Sequence, residues 1–111
     1  MHELFVTMDD PWDHADLTAI AGSPAAPGAS PAGYAWKGGC SKQVVYLTSD
    51  GHVHELWVRR FGSWSHADLT AMTNAPAAVG PPLSGYGWYT GGTKQVMYRG
   101  TSNGHVHELF V

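Results

Sequence analysis

The sequence predicts an all-β chain built from tandem, four-stranded antiparallel repeats. Three observations carry this reading: self-similarity at a spacing of 52 residues, short β-branched and aromatic segments set between turn signals, and Pro-rich connectors that no helix can cross.

The repeat is legible residue by residue. His2-Glu3-Leu4 returns as His54-Glu55-Leu56, 52 residues on. Trp12-x-His14-Ala15-Asp16-Leu17-Thr18-Ala19 returns at the same spacing as Trp64-x-His66-Ala67-Asp68-Leu69-Thr70-Ala71. Gly33-Tyr34-x-Trp36 and Lys42-Gln43-Val44-x-Tyr46 recur as Gly85-Tyr86-x-Trp88 and Lys94-Gln95-Val96-x-Tyr98. Gly51-His52-Val53-His54-Glu55-Leu56 comes back as Gly104-His105-Val106-His107-Glu108-Leu109, now 53 residues on, so one residue has entered the loop over 100–103. Chance does not produce such a match; it is a duplication. One repeat domain covers 1–111, with units at 2–53 and 54–106 and the start of a third at 107–111.

Each unit is expected to supply four strands. Gly33 to Trp36 forms the first, and Lys42 to Leu47, rich in β-branched and aromatic residues, the second. Asp50-Gly51 and Asn103-Gly104 are hairpin signals, because both residue types tolerate positive φ. His52 to Val58 is the third strand and Ser63 to Thr70 the fourth. The stretch from Ala71 to Ser84 follows as an irregular connector, since Pro76, Pro81 and Pro82 forbid a regular helix.

Four-stranded units at this period, joined by irregular linkers, are the sequence form of β-propeller blades. A β-trefoil would want three repeats, and solenoid coils are usually shorter. About two blades per chain cannot close a ring that typically needs roughly 4–8, so ring closure by homo-oligomerisation is expected. Three copies giving six blades is the favoured arithmetic, and two giving four is the alternative. The chain also opens on His2-Glu3-Leu4-Phe5-Val6 and closes on His107-Glu108-Leu109-Phe110-Val111, so the third strand is supplied twice. An unpaired strand edge is a template for another copy.

Bulk composition narrows the function classes. The 111 residues are 43% apolar and 14% charged, which suits one small globular domain. A net charge of -3, with only six scattered Lys and Arg, argues against nucleic acid or an anionic membrane as partner. No apolar run approaches a membrane span, and the start of the chain lacks the basic and apolar regions of a signal peptide. Cys40 is the single cysteine, so neither an intrachain disulfide nor a Cys-based zinc site is expected; Gly92 holds its place in the second unit.

With the strands placed, the pattern resembles the fucose-binding bacterial propeller lectins that carry two blades per chain, and their fungal relatives. The residues behind the resemblance are Val45-Tyr46, Asp50-Gly51, Val53-x-Glu55 and Ser63-Trp64. It implies monosaccharide pockets between blades, held by the Glu (Glu55, Glu108) and by a stacking Trp (Trp64). The family's sugar-binding Arg precedes the Val-Tyr pair; Val44 and Val96 occupy that slot here, and Arg99 lies outside it.

The residue types suit a sugar independently of any family. A sugar presents an apolar CH face and a rim of hydroxyls, met by aromatic rings plus a few fixed carboxylates and amides in a shallow cleft. The repeated candidates are Trp12, Trp64, Trp36, Trp88, Tyr46, Tyr98, Gln43 and Gln95, with Glu3, Glu55 and Glu108. Several equivalent weak sites would act through avidity. The competing expectation is a self-assembling scaffold without a ligand, in which the same rings pack blade against blade.

Seven histidines all fall within the repeat motifs. His52 and His54 share one strand face, as do His66 and Asp68 on the neighbouring strand. A hydrogen-bonded structural network is the preferred reading, and acid is then expected to loosen the assembly. A zinc site from His52, His54, His66 and Asp68 is the weaker alternative. No cofactor is implied. Catalysis has no motif behind it: nucleophile elbow, phosphate loop, His-Glu-x-x-His helix and dinucleotide fingerprint are all missing from the sequence, so the chain is expected not to be an enzyme.

Overall fold

A computed structural model describes residues 1–5, 11–28, 31–101 and 104–111. Val6 and Asn103, and with Asn103 the second hairpin turn, lie outside the described residues. The strands fall into three antiparallel sheets. The first pairs β1 (His2–Phe5) with β2 (Asp13–Asp16). The second orders β3 (Ala32–Trp36), β4 (Ser41–Leu47), β5 (Val53–Arg59) and β6 (Ser65–Asp68) as a meander. The third holds β7 (Ser84–Trp88), β8 (Thr93–Arg99) and β9 (Val106–Phe110). The all-β class is therefore observed. No helix among the described residues is long and apolar enough to cross a membrane.

The expected fourth strand, Ser63 to Thr70, is cut short. β6 stops at Asp68, and Leu69–Thr73 turns once as a helix, α2; the first unit does the same with α1 (Leu17–Ala21). The cause is local. The Asp68 carboxylate accepts from the Ala71 amide at 2.9 Å and the Asp16 carboxylate from the Ala19 amide at 3.1 Å. Each satisfies an orphan amide of the first turn, which extended backbone could not offer. Gly22 and Asn74, both with positive φ, then end the turns. The third strand also begins one residue later than expected, because His52 closes the hairpin: its carbonyl accepts from the Thr48 amide at 3.1 Å. In that hairpin Gly51 alone takes positive φ (79°), while the Asp50 carboxylate braces the turn by accepting from the His52 amide at 3.1 Å.

Alternation along β5 sends its side chains to two interfaces. Val53 joins Val45, Leu47, Val96, Tyr98 and Leu109 in a core between the second and third sheets. Leu56 joins Leu17 and Tyr46 in a core facing the first sheet. The sheets are clamped by equivalent bonds. The Tyr46 hydroxyl donates to the Pro24 carbonyl at 2.8 Å, and the Tyr98 hydroxyl to the Pro76 carbonyl at 2.7 Å. Each Pro-Ala-Ala connector is thus fastened to the second strand of the sheet that follows it. The connector after α2 also bonds both neighbours, from the Ala78 amide to the Gly51 carbonyl at 2.8 Å and from the Val79 amide to the Arg99 carbonyl at 2.9 Å.

The second and third sheets meet through their first strands, β3 and β7. A Cβ at Gly87 would stand 3.2 Å from the Ala35 carbonyl oxygen, and one at Gly85 only 2.4 Å from the Tyr34 ring. Glycine on β7 lets Tyr34 lie flush against the neighbouring strand.

Candidate functional site

The cleft between the second and third sheets gathers the most chemistry. Its volume is about 550 Å³, and its walls include Tyr34, Trp36, Glu55, Trp57 and Lys94. Glu55 points here because residues 53, 55 and 57 share the face of β5 that looks toward the third sheet. Its carboxylate is buried at 3% exposure and accepts two bonds, from the Lys94 ammonium at 2.6 Å and the Tyr34 hydroxyl at 3.1 Å. The ammonium lies 5.2 Å from the Trp36 ring centre and 5.9 Å from that of Trp57, within cation–π range. Burial, then the negative charge of Glu55, pushes the Tyr34 hydroxyl far above its usual range, so it stays a neutral donor.

The Glu–Lys pair with aromatic rings beside the ammonium repeats one sheet earlier. Lys42 on β4 meets Glu3 on β1, and its ammonium lies 5.9 Å from the Phe5 ring and 5.4 Å from the Trp64 ring. Phe5 stands where Trp57 stands in the next unit. On β9 the third equivalent, Glu108, is exposed, and the third sheet has no further sheet against this face among the described residues.

The expected binding residues divide sharply. Glu55 and Trp36 reach the cleft, and Trp64 borders the earlier equivalent. Trp12 and Trp88 lie on the surface, 71% and 58% exposed. Tyr46 and Tyr98 are buried with their hydroxyls spent on Pro24 and Pro76. Gln43 and Gln95 are buried within their sheets, where the Gln43 amide donates to the Ser41 hydroxyl and the Gln95 amide to the Thr93 hydroxyl at 2.5 Å. These four build the sheets and do not line the cleft. Sequence reasoning missed Tyr34, Lys42, Lys94 and Trp57. The lysines were visible as the first residue of the repeated Lys-Gln-Val motif, and Trp57 shares the Glu55 face by simple alternation.

A second cluster sits at the edge facing the first sheet. The β5–β6 register places His54 opposite Asp68, and His66 opposite Leu56. Asp68 Oδ2 lies 2.6 Å from His52 Nδ1 and 3.6 Å from His54 Nε2. The Asp68 hydrogen bond raises His52 above the ordinary histidine value, whereas burial lowers His54 below it. Burial pushes the Asp68 carboxyl up, but the Ala71 amide, the His52 bond and the two imidazole charges outweigh it and leave the group below its ordinary value. A hydrogen bond joins His52 and Asp68, while His54 lies near Asp68 without one, and His66 is exposed on the strand face that Asp68 shares. Cys40 is a free, exposed residue in a left-handed turn (φ 49°), as is Gly92 (φ 68°) at its counterpart.

No protein-family model, curated protein or solved structure matches the chain.

Proposed function

We propose that the chain is a non-enzymatic carbohydrate-binding module whose sugar sites are the clefts between successive sheets. Each sheet is a blade of a propeller completed by further copies of the chain. One observation carries the reading: a buried carboxylate, an ammonium and a phenol converge beside the faces of Trp36 and Trp57 in an open cleft. Rings offer a platform for a sugar's CH face. Glu55 has lone pairs to accept from hydroxyls, and Lys94 spends one of its three protons on Glu55. The repetition at Glu3 and Lys42 favours several equivalent weak sites acting together.

The assembly half of the proposal rests on edges and spacing. β3 and β7 lie side by side as the inner strands of adjacent blades would. β9 carries on its face the residues by which β5 pairs with β6, and β2 carries the counterparts of β6. A second copy's β9 therefore fits β2 in the register that β1 already holds there, so assembly by this edge requires β9 to displace β1. Three copies give six blades.

The competing reading, an assembling scaffold without ligand, draws on one fact: Glu55 is already satisfied by Lys94 and Tyr34. A dense glycan array separates them. Binding to a sugar class, lost in Trp57→Ala and weakened at least tenfold in Glu55→Gln, supports the lectin; no binding at any density leaves the scaffold. Native mass tests the ring: three times 11.9 kDa fits six blades, and a folded monomer removes it.

A further inference from the structure

The cluster at the far face of β5 has a donor geometry that the sugar reading does not use. We propose that His52, His54 and Asp68 form a binding site for a divalent transition metal of the zinc kind, with water completing the coordination.

The three donor atoms, one from each residue, all lie within 4.8 Å of one another. This follows from the backbone. His52, at the close of the hairpin, stacks beside His54 with ring centres 6.5 Å apart, and strand pairing sets Asp68 opposite His54. Capping does the rest. Asp68 Oδ1 is held by the Ala71 amide at 2.9 Å, which fixes the carboxylate plane and turns Oδ2 toward both imidazoles. Two imidazoles and one carboxylate, aimed at a shared point by a rigid sheet, form a donor set that suits zinc and leaves a fourth position open. His54 is the buried ligand, at 8% side-chain exposure, while His52 and Asp68 are 32% and 29% exposed and give an ion and its water a way in. A second carboxylate stands at the mouth, with Asp50 Oδ2 at 3.9 Å from His52 Nδ1, so the site attracts cations. A bound ion would replace the short His52–Asp68 hydrogen bond and supply the link between His54 and Asp68 that 3.6 Å leaves loose.

The site lies within one chain, on the opposite face of β5 from Glu55. It depends on neither sugar binding nor ring closure, and failure of either leaves it standing.

The test uses the full chain without a histidine tag, stripped with chelator and titrated with Zn²⁺ by calorimetry, with Co²⁺ absorption reporting coordination number. One Zn²⁺ per chain and Co²⁺ bands of four- or five-coordinate intensity are expected. His52→Ala and Asp68→Asn, the latter keeping the helix cap, should each weaken binding at least tenfold, while His66→Ala leaves it unchanged. Imidazole nitrogen shifts should place the metal on Nδ1 of His52 and Nε2 of His54. No saturable Zn²⁺ binding, or binding undiminished in both His52→Ala and Asp68→Asn, would overturn the proposal.

Discussion

Glu55 on β5 and Lys94 on β8 meet at 2.6 Å across two different sheets, and Glu3 and Lys42 make the same meeting one sheet earlier. Each pair ties neighbouring sheets, and Glu55–Lys94 does so inside the cleft, so one carboxylate serves both cohesion and the candidate site.

Removing one partner leaves the other charge stranded. Glu55→Ala and Lys94→Ala are each expected to destabilise the fold by about 3 kcal/mol, measured by urea unfolding, because both groups are largely withdrawn from water. The double variant should cost less than the sum, with a coupling of roughly 1–3 kcal/mol. Strict additivity would show that the pair does not interact in solution.

The two capping aspartates offer an internal comparison. Asp68→Ala loses both a helix cap and the His52 bond and is expected to cost about 2 kcal/mol. Asp16→Ala loses the equivalent cap, while its His2 contact is a long 3.9 Å, so it should cost visibly less by the same measurement. Equal losses would mean that the His52 bond adds nothing.

Stability of the chelated protein should pass through a maximum near the ordinary histidine value of 6.5. His52 is raised, so the fold favours its charged form. That contribution is fully present below 6.5 and is lost as pH climbs through the raised value. His54 is lowered, so the fold favours its neutral form; its contribution is intact above 6.5 and is lost as pH falls through the lowered value. On the acid side of 6.5 the His52 contribution is already complete, so loosening begins with His54, and the lowered carboxyls of Asp16, Asp50 and Asp68 add to it in stronger acid. Thermal denaturation across pH 5 to about 8 checks this. His54→Gln should flatten the acid side and His52→Ala the alkaline side; a monotonic curve in the parent would contradict the assignment.

The strands were readable because their signals are local. β4 and β5 lie within one residue of where alternation and turn chemistry put them, and the offset of 52 residues carried the same reading into the second unit. The end of β6 was not read, since Asp-Leu-Thr-Ala suits a strand or a capped turn equally. Only the pairing of Asp68 with a later positive-φ Asn74 decides it. The cleft was half legible. Glu55 and Trp36 stood out by residue type, but Lys94 enters from the next sheet, and sequence spacing says nothing of how sheets stack. Tyr46 and Gln43 misled for the converse reason: aromatic and amide groups that suit a ligand equally suit a buried bond to Pro24 or Ser41.

The Glu–Lys pairs run one way along the chain. The carboxylate always comes from the earlier sheet and the ammonium from the later one. A copy that joins by repeating these contacts must join head to tail, since facing two copies symmetrically would set carboxylate against carboxylate. Such growth is polar: it ends only when the rotation per copy closes a circle, and a change in that rotation would turn a finite particle into a fibre.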